Sequence, residues 1–150
     1  MEEIKDRCIS KKEYLKKYDS NVGYALYVQD NIKKDDYARL NTGEIVKVIG
    51  IRENNVTKKA IYFGIYDEDW CDSAAVENFS ENIIDLIEVG DIVNDYIVLD
   101  VMEDLQTGEI HLEMPASYPK EGSCAIHNDE IKTILTKEQY MQNCYKIEQF

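Results

Sequence analysis

The fold class is decided by Tyr37-Ala-Arg-Leu-Asn-Thr-Gly-Glu-Ile-Val-Lys-Val-Ile-Gly-Ile51. Strand-favouring residues stand on both sides of Thr42-Gly43, which is the strand–glycine–strand order of a β-hairpin. Glycine supplies the positive φ that a tight turn needs. The stretch therefore predicts two antiparallel strands, over 37–41 and 44–51.

The same turn sequence occurs a second time. Leu105-Gln-Thr-Gly-Glu-Ile110 repeats Leu40-Asn-Thr-Gly-Glu-Ile45 with one conservative difference. We interpret this as one good turn used twice and not as internal duplication. Between the copies, residues 57–65 predict a strand, and the nearly unbroken apolar run 96–102 predicts a central strand that is covered on both faces.

The segments that flank this β-rich region carry helix signals. Ser10-Lys-Lys-Glu13 and Thr136-Lys-Glu-Gln139 have the form of capping boxes, so short helices are expected over 11–18 and after residue 136. Ser80 followed by an acidic, apolar-spaced segment predicts one or two helical turns over 81–87. Residues 23–28 are rich in β-formers and predict a strand.

Seven or eight short strands joined by tight turns favour a mainly β or α+β fold with an antiparallel sheet that hides its edges. We expect a small β-barrel with short peripheral helices. The Gly90-Asp-Ile-Val93 step before a strand resembles barrels of the SH3 type. We expect one domain over 1–150, with a helix–strand extension over 1–33 and a β-rich core over 34–150.

Charge is concentrated in one region of the chain. Residues 60–119 hold fifteen carboxylates and no lysine or arginine, a net charge of −15, whereas the other ninety residues have a net charge of +2. Such a field repels nucleic acid and anionic membranes and attracts basic surfaces. We therefore expect a basic protein partner, no direct binding of nucleic acid and no binding to a membrane.

Motifs for catalysis or metal binding are few. The glycines are isolated, so no phosphate-binding loop is predicted. Asp67-x-Asp69 begins like a calcium loop, but Asp72 stands where glycine is needed, so an EF-hand is rejected; loose cation binding at Asp67, Asp69 and Asp72 stays an alternative. A Cys124/His127 nucleophile–base pair is a second alternative to a purely structural role for both residues. We predict no enzyme, no cofactor and no metal site.

Cellular context is indicated by the cysteines and by the absence of a long apolar run. The four cysteines form no CxxC pair, which fits reduced thiols in a cytosol. No apolar run approaches the roughly 18 residues that span a bilayer. We therefore expect a soluble protein in the cytoplasm.

A resemblance is carried by Phe79-Ser-Glu-Asn-Ile-Ile-Asp-Leu-Ile-Glu-Val-Gly-Asp-Ile-Val93 and by Asp129-Glu-Ile-Lys-Thr-Ile-Leu-Thr-Lys-Glu-Gln-Tyr140. With the residues up to 102, these segments resemble small proteins encoded by phages and mobile elements of clostridia and related Gram-positive bacteria. The resemblance covers roughly a third to a half of the chain. It implies a phage-derived accessory protein, and because that set has no assigned chemistry it implies no functional residue.

Binding is the function that the charge favours. Alternate side chains of a strand stand roughly 6.6 Å apart, an interval comparable to that between phosphates, so carboxylates on strands can imitate a nucleic acid. The hypothesis is a phage-encoded, non-enzymatic inhibitor or modulator of a basic host defence protein, such as a nucleic-acid-binding enzyme. Trp70 within the acidic segment is a candidate anchor. The predicted partner-binding residues are Asp67, Glu68, Asp69, Trp70, Asp72, Glu77, Glu81 and Asp85.

Two other functions stay open from the sequence. One is an accessory or assembly module of a phage or mobile element, in which the acidity serves only solubility. The other is a protein that binds a small-molecule signal, which needs cations for phosphates. Three arginines, Arg7, Arg39 and Arg52, offer bidentate donors for that role.

Overall fold

The computed structural model describes residues 9–53, 59–62, 70–120 and 124–143. Within those ranges it contains three α-helices and twelve short strands, and the strands form four antiparallel three-stranded sheets. The fold class is therefore mixed, mainly β or α+β. The chain divides into two compact units: the first unit consists of Met1–Asn41 and Ile45–Leu86, and the second unit of Thr42–Glu44 and Ile87–Phe150.

The first unit combines two helices with two sheets, ordered β2-β1-β6 and β3-β4-β5. Its helices and strands are α1 (Lys11–Tyr18), α2 (Asn21–Asn31), β1 (Tyr37–Leu40), β2 (Ile45–Lys47), β3 (Gly50–Glu53), β4 (Lys59–Tyr62), β5 (Trp70–Asp72) and β6 (Val76–Ser80). Single 3₁₀ turns, Ser73–Ala75 and Ile83–Leu86, follow β5 and β6. Buried aliphatic and aromatic side chains from α2, β1, β4 and β6 form one continuous core.

The second unit contains small sheets ordered β12-β7-β8 and β11-β10-β9, together with one helix. Its helix and strands are β7 (Ile92–Val93), β8 (Tyr96–Ile97), β9 (Asp100–Glu103), β10 (Ile110–Glu113), β11 (Ala125–Ile126), β12 (Ile134–Leu135) and α3 (Lys137–Asn143). Leu112, Met114 and Ile126 are buried. Along β10 and the residue after it, Ile110 is half-buried and Leu112 and Met114 are fully buried, so this side of the strand faces the interior of the unit.

The side chain of Asp91 joins the start of the second unit to α3 by hydrogen bonds. Its side chain is fully buried, and its two carboxylate oxygens accept the backbone N–H groups of Glu88 (2.8 Å) and Lys137 (2.9 Å). The ammonium of Lys137 also pairs with the Glu88 carboxylate at 2.7 Å, and this hydrogen bond raises the pKa of Lys137. The Gly90-Asp91 step therefore fixes the first turn of a helix 46 residues further along the chain.

The two copies of the repeated turn sequence share three features, although their loops differ in length. The first joins β1 to β2 and the second joins β9 to β10, each an antiparallel pair. In each, the threonine hydroxyl accepts the N–H of the following glutamate, at 3.4 Å for Thr42 and 3.2 Å for Thr107. Gly43 and Gly108 both have positive φ, 93° and 76°. Both predicted hairpins are confirmed.

The prediction of a β-barrel is wrong. Each sheet of the described residues has three strands of two to five residues, and none closes on itself. The long strand expected over 44–51 is interrupted at Val48-Ile49, so that β2 and β3 join different sheets. Val48 is fully buried there, and its backbone N–H donates to Asp36, outside any strand pairing.

The central strand expected over 96–102 is also wrong. Val98 is buried, but Ile97 and Leu99 beside it are about half exposed, so this run is not covered on both faces. The backbone N–H groups of Val98 and Leu99 donate to Asp91 and Glu113, and these bonds separate β8 from β9. An apolar composition alone therefore overstated the burial of this segment.

The N-terminal segment forms two helices, and residues 9–33 contain no strand. The capping box of Ser10 and Glu13 is confirmed at the start of α1. The strand expected over 23–28 is wrong, because α2 occupies these residues. Ser20 caps α2 by accepting the N–H of Gly23 at 2.9 Å, and Tyr24, Val28 and Ile32, spaced four residues apart, are buried on one side. Burial at helical period thus overrides the β-propensity of tyrosine and valine.

Candidate protein-binding face

The tyrosines of α1 and α2 fix the position of α2 within the first unit. The ring of Tyr14 packs against those of Tyr18, Tyr24 and Tyr27 with centroids 4.7–6.0 Å apart, and Tyr27 packs on Phe79 of β6. A Cβ at Gly23 would stand 2.7 Å from the Tyr14 hydroxyl, so glycine is required for this approach of the two helices. The aromatic contacts hold the inner face of α2 and leave its outer face to solvent.

The outer face of α2 carries exposed apolar side chains. Val22 is 72% exposed and Leu26 is 49% exposed, one helical turn apart. With the segment that follows β5 they border a groove of about 240 Å³. The lining residues are Val22, Ala25, Leu26, Gln29, Asp72, Ser73 and Ala74.

The groove is apolar along α2 and polar at the opposite side. The Ser73 hydroxyl donates to the Gln29 side-chain oxygen at 3.3 Å, which joins the two sides of the groove. Asp72 is the charged member of the lining and is exposed. The lining is therefore complementary to an apolar group next to a positive charge.

Trp70 lies on the same strand as Asp72. Side chains two residues apart on a strand point to the same face, and both are exposed, Trp70 by 39%. Cys71 between them packs on the core. The last three residues of the acidic segment 67–72 thus pair with β4 as strand β5, and Trp70 and Asp72 are its exposed members. Asp67, Glu68 and Asp69 lie outside the described residues.

The other predicted site residues have local partners. Glu77 on β6 pairs with the ammonium of Lys11 at 3.6 Å. The Asp85 carboxylate accepts the Ser80 hydroxyl at 2.6 Å, and the Ser80 oxygen accepts the N–H of Asn82 at 3.1 Å, which closes the turn after β6. The helical turn expected there is confirmed over Ile83–Leu86. Glu77 and Asp85 therefore serve the packing of the first unit.

Glu81 is exposed and acts on a buried neighbour. Burial raises the pKa of Asp36 above its ordinary value of 3.8, and the carboxylates of Glu81 and Asp35 add to this effect. The carboxylates of Asp35, Asp36 and Glu81 are thus close enough to repel one another. A positive charge placed beside these three residues relieves that repulsion.

Of the predicted residues, the structure brings together Trp70 and Asp72 on β5. The groove beside α2 was missed, although Val22 and Leu26, four residues apart, are a signal for an apolar stripe on a helix. This stripe is recognised only if residues 22–26 are helical, and the sequence predicts a strand over 23–28. We call the surface of Trp70, Asp72 and the groove the β5–α2 face.

Other kinds of site find little support in the described ranges. No group of three or more His, Cys, Asp or Glu side chains within them is arranged to hold a metal ion. None of the helices found there is long and apolar enough to cross a membrane. The comparisons with family models, with curated proteins and with solved structures gave no match to this chain.

Proposed function

We propose that this chain is a non-enzymatic binding protein that docks a basic segment of another protein on its β5–α2 face. One observation carries the proposal: an apolar groove, an exposed carboxylate and a partly exposed tryptophan occur together in one unit. Tryptophan anchors are enriched at the centres of protein interfaces. The partner segment that fits carries an apolar side chain next to a lysine or arginine.

The size of the groove favours a protein segment over a small molecule. Sites for drug-sized ligands have volumes of about 300–1,000 Å³, whereas this groove has about 240 Å³. That space suits one or two side chains. Burying one leucine-sized side chain contributes about 1.5–3 kcal/mol, and an ion pair with the exposed Asp72 adds about 0.2–1 kcal/mol.

Long-range attraction supplements these short-range contacts. Residues 60–119, which include β5, have a net charge of −15. A field of this kind accelerates association with basic proteins and weakens with salt. It supports the further proposal that the protein imitates nucleic acid and acts as a phage-encoded modulator of a basic host protein, in the cytoplasm of the bacterium. An assembly module that uses only the apolar groove is the competing function.

The test uses two labelled peptides, both rich in arginine, one with a central leucine and one with serine in its place. We expect the leucine peptide to bind more tightly by about tenfold, which corresponds to 1.4 kcal/mol and is within the range for partial burial of one such side chain. Fluorescence anisotropy measures both affinities. Amide shifts of the labelled protein should map to residues 22–29 and 70–74.

Three variants complete this test. Leu26→Lys should abolish the preference for the leucine peptide, and Asp72→Ser should weaken both peptides alike. Leu105→Lys is the matched control, because Leu105 is 98% exposed and lies in the second unit. Equal binding of both peptides to the wild type, or an equal effect of the two lysine variants, would contradict the proposal.

Salt distinguishes mimicry from the assembly module. If charge drives association, affinity for the leucine peptide should fall markedly between low and physiological ionic strength, where exposed charges beyond about 8 Å are screened. A flat profile with retained preference for leucine would instead favour docking through the apolar groove alone.

A further inference from the structure

The two histidines of the chain face each other in the second unit. Strands β10 and β11 are antiparallel, with Leu112 opposite Ile126 and Glu113 opposite Ala125. The same register continued by one residue puts His111 opposite His127. Their ring centroids are 5.7 Å apart with an angle of 50° between the planes. The alternative that the sequence offers for His127, a pair with Cys124, does not include this contact.

The backbone on both sides of the pair is held in place. His111 lies on the middle strand of its sheet and also pairs with Met102 of β9. The backbone N–H of His127 donates to Glu130 at 2.7 Å, and Glu130 in turn pairs with Lys120 at 2.9 Å. His111 is half-buried and His127 is exposed, so solvent ions reach the pair. Two imidazoles are therefore presented together by fixed elements.

We propose that His111 and His127 form a two-imidazole site for a divalent transition-metal ion of the late first row, such as Ni²⁺, Cu²⁺ or Zn²⁺. Imidazole nitrogen suits these ions. With a metal–nitrogen bond of about 2.0–2.1 Å, each ring centroid lies about 3.2 Å from the metal, so the centroids are about 5.2 Å apart at the tetrahedral angle of Zn²⁺ and about 4.5 Å apart at the 90° angle of Ni²⁺ or Cu²⁺. From the observed separation of 5.7 Å, the rings must therefore approach by about 0.5 Å for Zn²⁺ and by about 1.2 Å for Ni²⁺ or Cu²⁺.

The charges around the pair favour a cation. Asp104 interacts electrostatically with His111, and Glu130 does so with His127. The positive charge of Lys120 is balanced by its pair with Glu130. Since no third protein ligand is grouped with the histidines in the described residues, water completes the coordination. The site is consequently open and exchanges its ion readily, and it does not rest on the β5–α2 face of the first unit.

The experiment titrates Ni²⁺ alone into protein without an affinity tag and measures heat and amide spectra. The cysteine thiols are blocked beforehand, because they also bind such metals. We expect one ion per chain, with paramagnetic broadening centred on residues 111 and 127. His111→Asn and His127→Asn should each lower the affinity by about tenfold or more, because the second ligand no longer binds intramolecularly. The double variant, which has no imidazole left, should bind more weakly than either single variant.

Mg²⁺ is the control ion, since it prefers oxygen ligands. If Mg²⁺ competes with Ni²⁺, or if both single variants bind Ni²⁺ like the wild type, the ion is held by surface carboxylates and the proposal fails. Circular dichroism without metal checks that the variants fold. His127 is exposed and follows the end of β11, so the His127→Asn variant should fold. Its affinity for Ni²⁺ therefore tests the proposal even if the half-buried His111 proves necessary for folding.

Discussion

Replacement of Asp91 tests whether a single buried carboxylate joins the start of the second unit to α3. In Asp91→Ala, the backbone N–H groups of Glu88 and Lys137 lose their acceptor. An orphaned buried donor costs about 1–3 kcal/mol, so two donors give roughly 2–6 kcal/mol. Both hydrogen bonds are partly buried, so water can replace them in part. The free energy of unfolding should therefore fall by about 2–3 kcal/mol, in the lower half of that range.

Asp91→Asn gives an intermediate case. The amide keeps one oxygen acceptor and turns an N–H₂ group toward the second donor, so about half of the loss is expected, roughly 1–1.5 kcal/mol. Asp129→Ala is the control, because Asp129 is exposed and carries the same charge. Its free energy of unfolding should stay within about 0.5 kcal/mol of the wild type.

Urea unfolding followed by circular dichroism measures these differences. With a slope of about 1–3 kcal/mol per molar urea, Asp91→Ala should lower the midpoint by on the order of 1 M. The sole tryptophan, Trp70, lies in the first unit, so its fluorescence reports unfolding there. If one domain unfolds over 1–150, as predicted from the sequence, both probes shift together. A midpoint for Asp91→Ala equal to that of the control would refute the structural role assigned to this carboxylate.

Three further predictions concern the repeated turn, a buried acid and nucleic acid. Gly43→Ala should lower the free energy of unfolding by more than about 2 kcal/mol, because φ is positive there and the new Cβ would collide with Glu138. Gly108→Ala, with only Glu103 at 3.9 Å, should lower it by about 1 kcal/mol in the same urea-unfolding assay. Equal losses would contradict the packing around Gly43. Asp36→Asn should raise stability at neutral pH, because burial raises the pKa of this carboxyl in the folded state and so penalises its charged form. That gain should begin to fall as the pH drops through the folded-state pKa and should vanish below the unfolded-state pKa, where the carboxyl is protonated in both states; a constant gain across the pH range would contradict the cause. The purified protein should bind neither single- nor double-stranded DNA in a mobility-shift assay at physiological salt, since its net charge of −13 opposes counterion release, and a tight shift would overturn the proposed mimicry.

Local signals in the sequence were sufficient for caps and turns. The capping box at Ser10 is present, and the second one forms as predicted, with Gln139 and Thr136 exchanging hydrogen bonds at the start of α3. Both Thr-Gly turns reverse their strands as expected. These features depend on residues within a few positions of one another, so a single sequence contains all the information they need.

Longer-range features were beyond such reasoning. The breaks at Val48 and Val98 depend on backbone hydrogen bonds to Asp36 and Asp91, which lie seven or more positions away. The assignment of α2 depends on which side of Tyr24 and Val28 meets the core, and tyrosine and valine favour strands when that contact is unknown. The candidate site was predicted only in part for the same reason. Trp70 and Asp72 were found from composition, whereas the groove could be predicted only with α2 as a helix.

The two Thr-Gly hairpins also bear on the order in which the chain folds. Each joins strands that are neighbours in sequence, so closing each one costs little chain entropy and takes about 1–10 µs, the usual time for a hairpin. The pairing of β1 with β6 brings Arg39 to Asn78 and must close a loop of almost forty residues, which is slower. The repeated turn thus places one local hairpin in each half of the chain, and we expect β6 to join a hairpin that is already formed.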